Sequence, residues 1–195
     1  MKHEAPETLT KQERQTLLAW SYLLEELKPR RGREVEREIL SHGYRSEYWR
    51  LSPLLVEVAE ADGDVEDPEY HLASSDELPS EVDEQTREIL RMAQAYAEFY
   101  DGPRAADVRE DLQSTLKVFR GIDQHKTQHL GFAEFLVLRL GKWQKLRETV
   151  AQNRSSEGEP PDTEVYLQMV EVWREAGRRM TRTIAHEISR LSMEL

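Results

Sequence analysis

Cysteine is absent from the chain. That excludes a disulfide framework, a thiolate nucleophile and any Cys-ligated zinc or iron–sulfur site. No apolar run approaches the roughly 18–20 residues that a membrane helix needs. The densest stretch, Phe132 to Leu140, is half that length and contains Glu134 and Arg139. The first residues, MKHEAPETLTKQER, hold no apolar core of a secretory signal, and a cytoplasmic location is expected. Glycine is sparse, with nine in 195 residues, and no glycine-rich phosphate loop, dinucleotide fingerprint or G-x-S-x-G elbow occurs. No catalytic constellation, cofactor site or metal site is therefore expected.

What the chain has instead is charge, and the charge is uneven. Charged residues make up 33% and the net charge is −11. Ten acidic side chains and no Lys or Arg lie between Glu57 and Glu81, which leaves 28 acidic against 27 basic residues elsewhere. The global charge thus describes one Pro/Gly-punctuated segment on a nearly neutral body. This divides the chain into an N-terminal helical hairpin region (1–56), an acidic linker or insertion (57–79) and a C-terminal helical domain (80–195).

Helical signals fill both flanks. Thr10 followed by Glu13 is a capping box, and it opens a helix from about Lys11 to Leu27. Leu17, Trp20, Leu24 and Leu27 form one apolar stripe, while Leu18 and Tyr22 lie on a second face. A helix apolar on two faces is either central to its domain or shared with another subunit. Leu18, Trp20 and Tyr22 are accordingly the candidate interface. Pro29 stops this helix, and a second runs from Gly32 to His42, with Gly43 as its left-handed terminator. Tyr44 to Val58 reads as a broken helix with Pro53 in a first turn.

Beyond the acidic segment, Ser80 opens a helix that buries Ile89, Met92, Ala93, Tyr96 and Tyr100. Another helix is expected from about Ala105 to Phe119. Leu130 to Leu140 is apolar nearly all round and reads as the central buried helix; no strand exists to pair with it. Two helices follow the polar loop from Asn153 to Pro161, one carrying Val165, Met169, Val172, Trp173 and Ala176, the other Met180, Ile184, Ile188 and Leu191. The expected fold is all-α, a helical hairpin packed on a larger multi-helix domain, with no sheet.

Four clusters are candidates for chemistry. Lys28, Arg30, Arg31 and Arg33 form a basic patch at the junction of the first two helices. A helix–turn–helix with Arg at the turn could contact DNA phosphates, and a DNA-associated regulator is the alternative function. Glu34, Glu36 and Glu38 oppose it, because phosphate attraction dominates non-specific affinity. His125 and His129 share a helical face near Asp123 and Glu134, the spacing of a zinc pair, which would make a metal-dependent enzyme. No H-E-x-x-H occurs, and ordinary surface or capping histidines are the preferred reading of the pair. Asp62-Gly-Asp64-Val-Glu66 begins like a calcium loop but has Asp67 where glycine is required and Ala73 in place of the final Glu. Arg174, Arg178, Arg179, Arg182 and Arg190 line the last helices, interleaved with Glu171, Glu175 and Glu187. They read as exposed charge pairs or as partners of the acidic segment.

Several segments together resemble the YfbU-like family of uncharacterised bacterial proteins. They are Leu9–Leu18 (LTKQERQTLL), Glu38–Tyr44 (EILSHGY), Phe119–Asp123 (FRGID), the helix through Phe132 to Leu140 with Gly141, and Tyr166–Trp173 (YLQMVEVW). The resemblance implies an all-helical fold and homo-oligomers and brings no catalytic residue. Between Tyr44 and Ser80 this chain is longer than the family pattern, and His125 and His129 are not family positions. The function expected is a helical protein acting through homo-oligomerisation and contacts with a protein partner, with no membrane partner.

Overall fold

The structure is a computed structural model that describes residues 8–61, 77–102, 127–152 and 162–193. Every regular element among them is helical, and no strand occurs among the described residues. The chain divides into two compact units, Met1–Ser80 and Glu81–Leu195. Five expected features lie outside the described residues: the 105–119 helix, the FRGID segment, His125 with Asp123, the 62–66 acidic motif and the 153–161 polar loop.

In the first unit, α1 spans Lys11–Leu27 and opens on the capping box. Thr10 Oγ1 accepts from Glu13 N at 3.2 Å, and Glu13 Oε2 accepts from Thr10 N at 2.7 Å. Pro29 cannot continue the helix, and α2 follows over Arg33–His42. Gly43 (φ 64°) ends α2 in the left-handed region, with Tyr44 N bonded to Ile39 O. The broken helix resolves into a 3₁₀ segment, Arg45–Leu51, joined to α3, Ser52–Ala61. Pro53 sits in the first turn of α3, where no N–H is lost.

Helix α1 packs against both α2 and α3; of its second apolar face Leu18 is buried and Tyr22 stays exposed. Leu17, Leu18, Trp20 and Leu24 are buried, and Ile39, Leu40, Leu51 and Leu54 complete the core. Leu27 departs from the expected stripe. It lies in the last turn of α1 and is 59% exposed.

In the second unit, α4 spans Ser80–Asp101 and buries Ile89, Leu90, Met92, Ala93 and Tyr96, while Tyr100 is only partly buried. The apolar stretch is α5, Thr127–Glu134, continued by a π-helical turn, Phe135–Arg139. Phe132, Ala133, Phe135, Leu136 and Val137 are all buried, as expected of a central element. The Leu140 N–H donates to Phe135 O, five residues back, and Lys142 N to Leu136 O with Gly141 at φ 66°. The wide turn thereby closes on a glycine.

A 3₁₀ turn, Gln144–Leu146, leads into α6, Arg147–Gln152. Helix α7 (Thr163–Glu175) is capped by Asp162, and it packs on α8 (Arg182–Met193). The buried stripe of α7 is Tyr166, Met169, Val170 and Trp173; Met169 and Trp173 are buried as expected, while Val165, Val172 and Ala176 are only partly buried. On α8 the inward face is Ala185, Ile188, Ser189 and Ser192, with Ile184 and Leu191 at its margins. Tyr96 and Ser189 share a 2.8 Å hydrogen bond that ties α4 to α8.

Candidate functional site

The basic patch lies in the α1–α2 corner, and half of its charge is neutralised from within. Pro29 ends α1, and Gly32, at φ 93°, turns the chain into α2 in a conformation that side chains with a Cβ rarely adopt. Arg30 then faces α2 and α3. Its Nη2 donates to both Glu36 oxygens at 2.6 and 2.8 Å, and its Nε lies 2.8 Å from Glu57 Oε1.

Arg33, only 1% exposed, donates through Nη2 to Glu57 Oε2 at 2.6 Å and to Lys28 O at 3.1 Å. Its Nε lies 3.2 Å from Glu25 Oε2. Two guanidinium groups thus bind three carboxylates drawn from α1, α2 and α3. Lys28 and Arg31 remain exposed. Glu36 does more than repel phosphate, as its place in the sequence implied; it occupies Arg30. An open cavity of about 480 Å³ lies over this corner, lined by Glu25 and by every residue from Pro29 to Glu34.

The proposed interface residues separate. Leu18 and Trp20 are buried, at 4% and 2% exposure, so neither offers a surface. Tyr22 is 44% exposed, with the Arg37 guanidinium 4.8 Å from its ring centroid. A larger aromatic surface sits on the 3₁₀ segment. Trp49 is 58% exposed and carries the Arg50 guanidinium 4.3 Å above its ring. Arg50 is held by a 2.7 Å bond from its Nε to the buried Glu47. Trp49 lies outside the interface expected from the sequence, which was Leu18, Trp20 and Tyr22. The signal was the run Glu47-Tyr-Trp-Arg50, which puts a cation and its anchor three residues apart beside the indole.

His129 is buried and its Nε2 pairs with Gln85 Oε1 at 3.0 Å. Among the described residues no group of three or more His, Asp or Glu side chains is arranged to hold a metal ion. Arg174 and Arg178 do not chiefly pair along their own helix. Both reach the buried Glu88 of α4, at 3.1 and 2.9 Å, and Arg91 joins them at 2.6 Å. Arg178 adopts φ 59° after Gly177 to do so.

The two acidic hubs titrate in opposite senses. Burial raises the Glu36 pKa above its ordinary 4.5, against the pull of Arg30. At Glu88 burial acts in the same direction, but the hydrogen bonds of Arg91 and Arg174 and the charges of Arg178 and Arg174 outweigh it, and the pKa falls below 4.5. A raised carboxylate binds its proton more tightly in the folded state, so Glu36 adds stability as pH falls through its folded value toward 4.5. Glu88 adds stability above 4.5, and this is lost as pH falls through its lower folded value. Unfolding of wild type, Glu36→Gln and Glu88→Gln between pH 3 and 7 checks both signs. The wild-type advantage over Glu36→Gln should grow on acidification, and that over Glu88→Gln should shrink below about pH 4.5.

Comparison with protein-family models, with curated proteins and with solved structures yields no match.

Proposed function

We propose that this is a non-catalytic, cytoplasmic helical protein that works by self-association and by contact with a protein partner, through an aromatic surface of its first unit. One observation carries the proposal. All four large hydrophobic residues exposed among the described residues, Tyr22, Leu27, Trp49 and Val56, belong to that unit. Isolated surface hydrophobes need no explanation, but a half-exposed Trp under a tethered Arg combines the two residue types that dominate binding hot spots. The Glu47 anchor holds that pair in place before any partner arrives, which lowers the entropic cost of association. The resemblance to the YfbU-like family points the same way, since it implies homo-oligomers.

DNA is the weaker partner. Arg30 and Arg33 are already bound by carboxylates, and only Lys28 and Arg31 of the patch remain exposed for phosphate contact.

Light scattering at micromolar concentration tests the reading. Wild type should be an oligomer, and Trp49→Ala should weaken assembly by about 2 kcal/mol or more, roughly 30-fold. A monomeric wild type would remove self-association. Assembly untouched by Trp49→Ala would remove the surface.

A further inference from the structure

Four buried side-chain polar atoms in the α1–α2 corner lack a hydrogen-bond partner among the described residues. They are Glu25 Oε2, Arg30 Nε, Arg33 Nε and Arg33 Nη1, on three residues that all line the cavity. Arg30 Nε and Arg33 Nε sit at ion-pair distance from carboxylates without hydrogen-bond alignment. Arg30 Nε already has Glu57 at 2.8 Å, so it is the two Arg33 donors, Nη1 and the misaligned Nε, that call for an acceptor-rich ligand, since buried donors are normally satisfied.

The cavity also receives the N-terminus of α2. No side chain caps that ten-residue helix, and a Cβ built on Gly32 would meet nothing within 4 Å. An uncapped helix N-terminus favours an anion through both its dipole and its free N–H groups. Exposed Arg31 stands at the rim. Two carboxylates oppose an anion here: Glu34 in the cavity lining, and Glu25, which is partly exposed and poorly aligned with Arg33.

We propose that this cavity binds the phosphate group of a small phosphomonoester, which displaces Glu25 from Arg33 and is held by Arg31, Arg33 and the first turn of α2. The cavity is several times the size of a phosphate group and leaves space for an organic remainder against Pro29. The donors are recessed, Arg33 being 1% exposed, which favours a terminal phosphate over a phosphodiester backbone lying across the surface. The site is separate from the Trp49 surface and stands or falls independently of it.

Titration of the ¹⁵N-labelled full chain with inorganic phosphate and with glycerol phosphate, at constant ionic strength made up with chloride, tests this. Saturable shifts of the Gly32, Arg33 and Glu34 amides are expected. Arg31→Ala should weaken binding about tenfold, the worth of one charge-assisted hydrogen bond. Glu25→Gln should tighten it several-fold by removing the competing charge. Opposite signs from the two variants set a ligand site apart from a purely structural network. Both positions are at least partly exposed, and thermal unfolding controls for their folding. Tighter binding of glycerol phosphate upholds the monoester; equal affinity upholds the site with inorganic phosphate as its source. Shifts that stay linear, or that neither variant changes, overturn the proposal.

Discussion

Trp20→Ala should destabilise the first unit by about 3–5 kcal/mol, the cost of truncating a fully buried aromatic residue and leaving a cavity. Trp20 is among the largest fully buried side chains, and its neighbours Leu17, Leu18, Ala19, Ser21 and Leu24 are buried with it. Helix α1 packs on two partners at once, so the lost volume cannot be recovered by moving α1 toward one of them without opening the other contact. Total stability of a domain is only about 5–15 kcal/mol, so this single change should bring the unit close to unfolding near physiological temperature. Urea unfolding followed by circular dichroism checks it. The contrast with Trp49→Ala is the informative part. An exposed Trp removed should leave the unfolding free energy of the dissociated protomer within about 0.5 kcal/mol of wild type while altering assembly. A loss under 1 kcal/mol for Trp20→Ala would mean that the residue is not the core of the unit.

The same contrast shows how far the sequence could be read. The capping box at Thr10, the stop at Pro29, the left-handed Gly43 and the first-turn Pro53 were legible because each is a local backbone rule. The two apolar faces of α1 were legible too, but which neighbour covers them was not. That depends on α3, more than 20 residues further along the chain. Charged residues on apolar faces were the systematic blind spot. Arg33 and Glu36 share the face of Leu40, and Glu88 shares that of Met92 and Tyr96, each three or four residues apart. Helical spacing alone pairs charges with neighbours in their own helix. The actual partners are Glu57, 24 residues beyond Arg33, and Arg174, 86 residues beyond Glu88.

The acidic segment changes character for the same reason. Its ends are structural. Glu57 binds Arg30 and Arg33, and Glu77 Oε1 accepts from Leu9 N at 3.0 Å and from the Tyr48 hydroxyl at 2.7 Å. Burial and the Glu77 carboxylate together push the Tyr48 pKa up, which keeps the phenol protonated as the donor. Leu78 is buried, and its N–H bonds Gly43 O. Negative charge in the sequence therefore marked two anchors of the first unit as well as a run of acid between them.

The anchor at Glu57 leads to the second large effect. Arg33→Met should cost about 3–5 kcal/mol, because it removes a fully buried cation and leaves its carboxylates short of a partner. Methionine fills similar space, so the loss reports charge and hydrogen bonds more than volume. Glu57 would keep Arg30, but Arg30 must then serve Glu36 and Glu57 alone, and Lys28 O loses its donor. Arg33→Lys keeps the charge and loses the fork that reaches Glu57 and Lys28 O together, so its cost should fall between wild type and Met. The double variant Arg33→Met with Glu57→Leu should recover much of the loss, since a buried ion pair is often replaceable by a packed apolar pair. Chemical denaturation of wild type, Arg33→Met, Glu57→Leu and the double variant gives the coupling energy, expected at about 1–3 kcal/mol and nearly independent of salt for a buried pair. Additive costs that vanish in high salt would instead mark the corner as a solvated surface network.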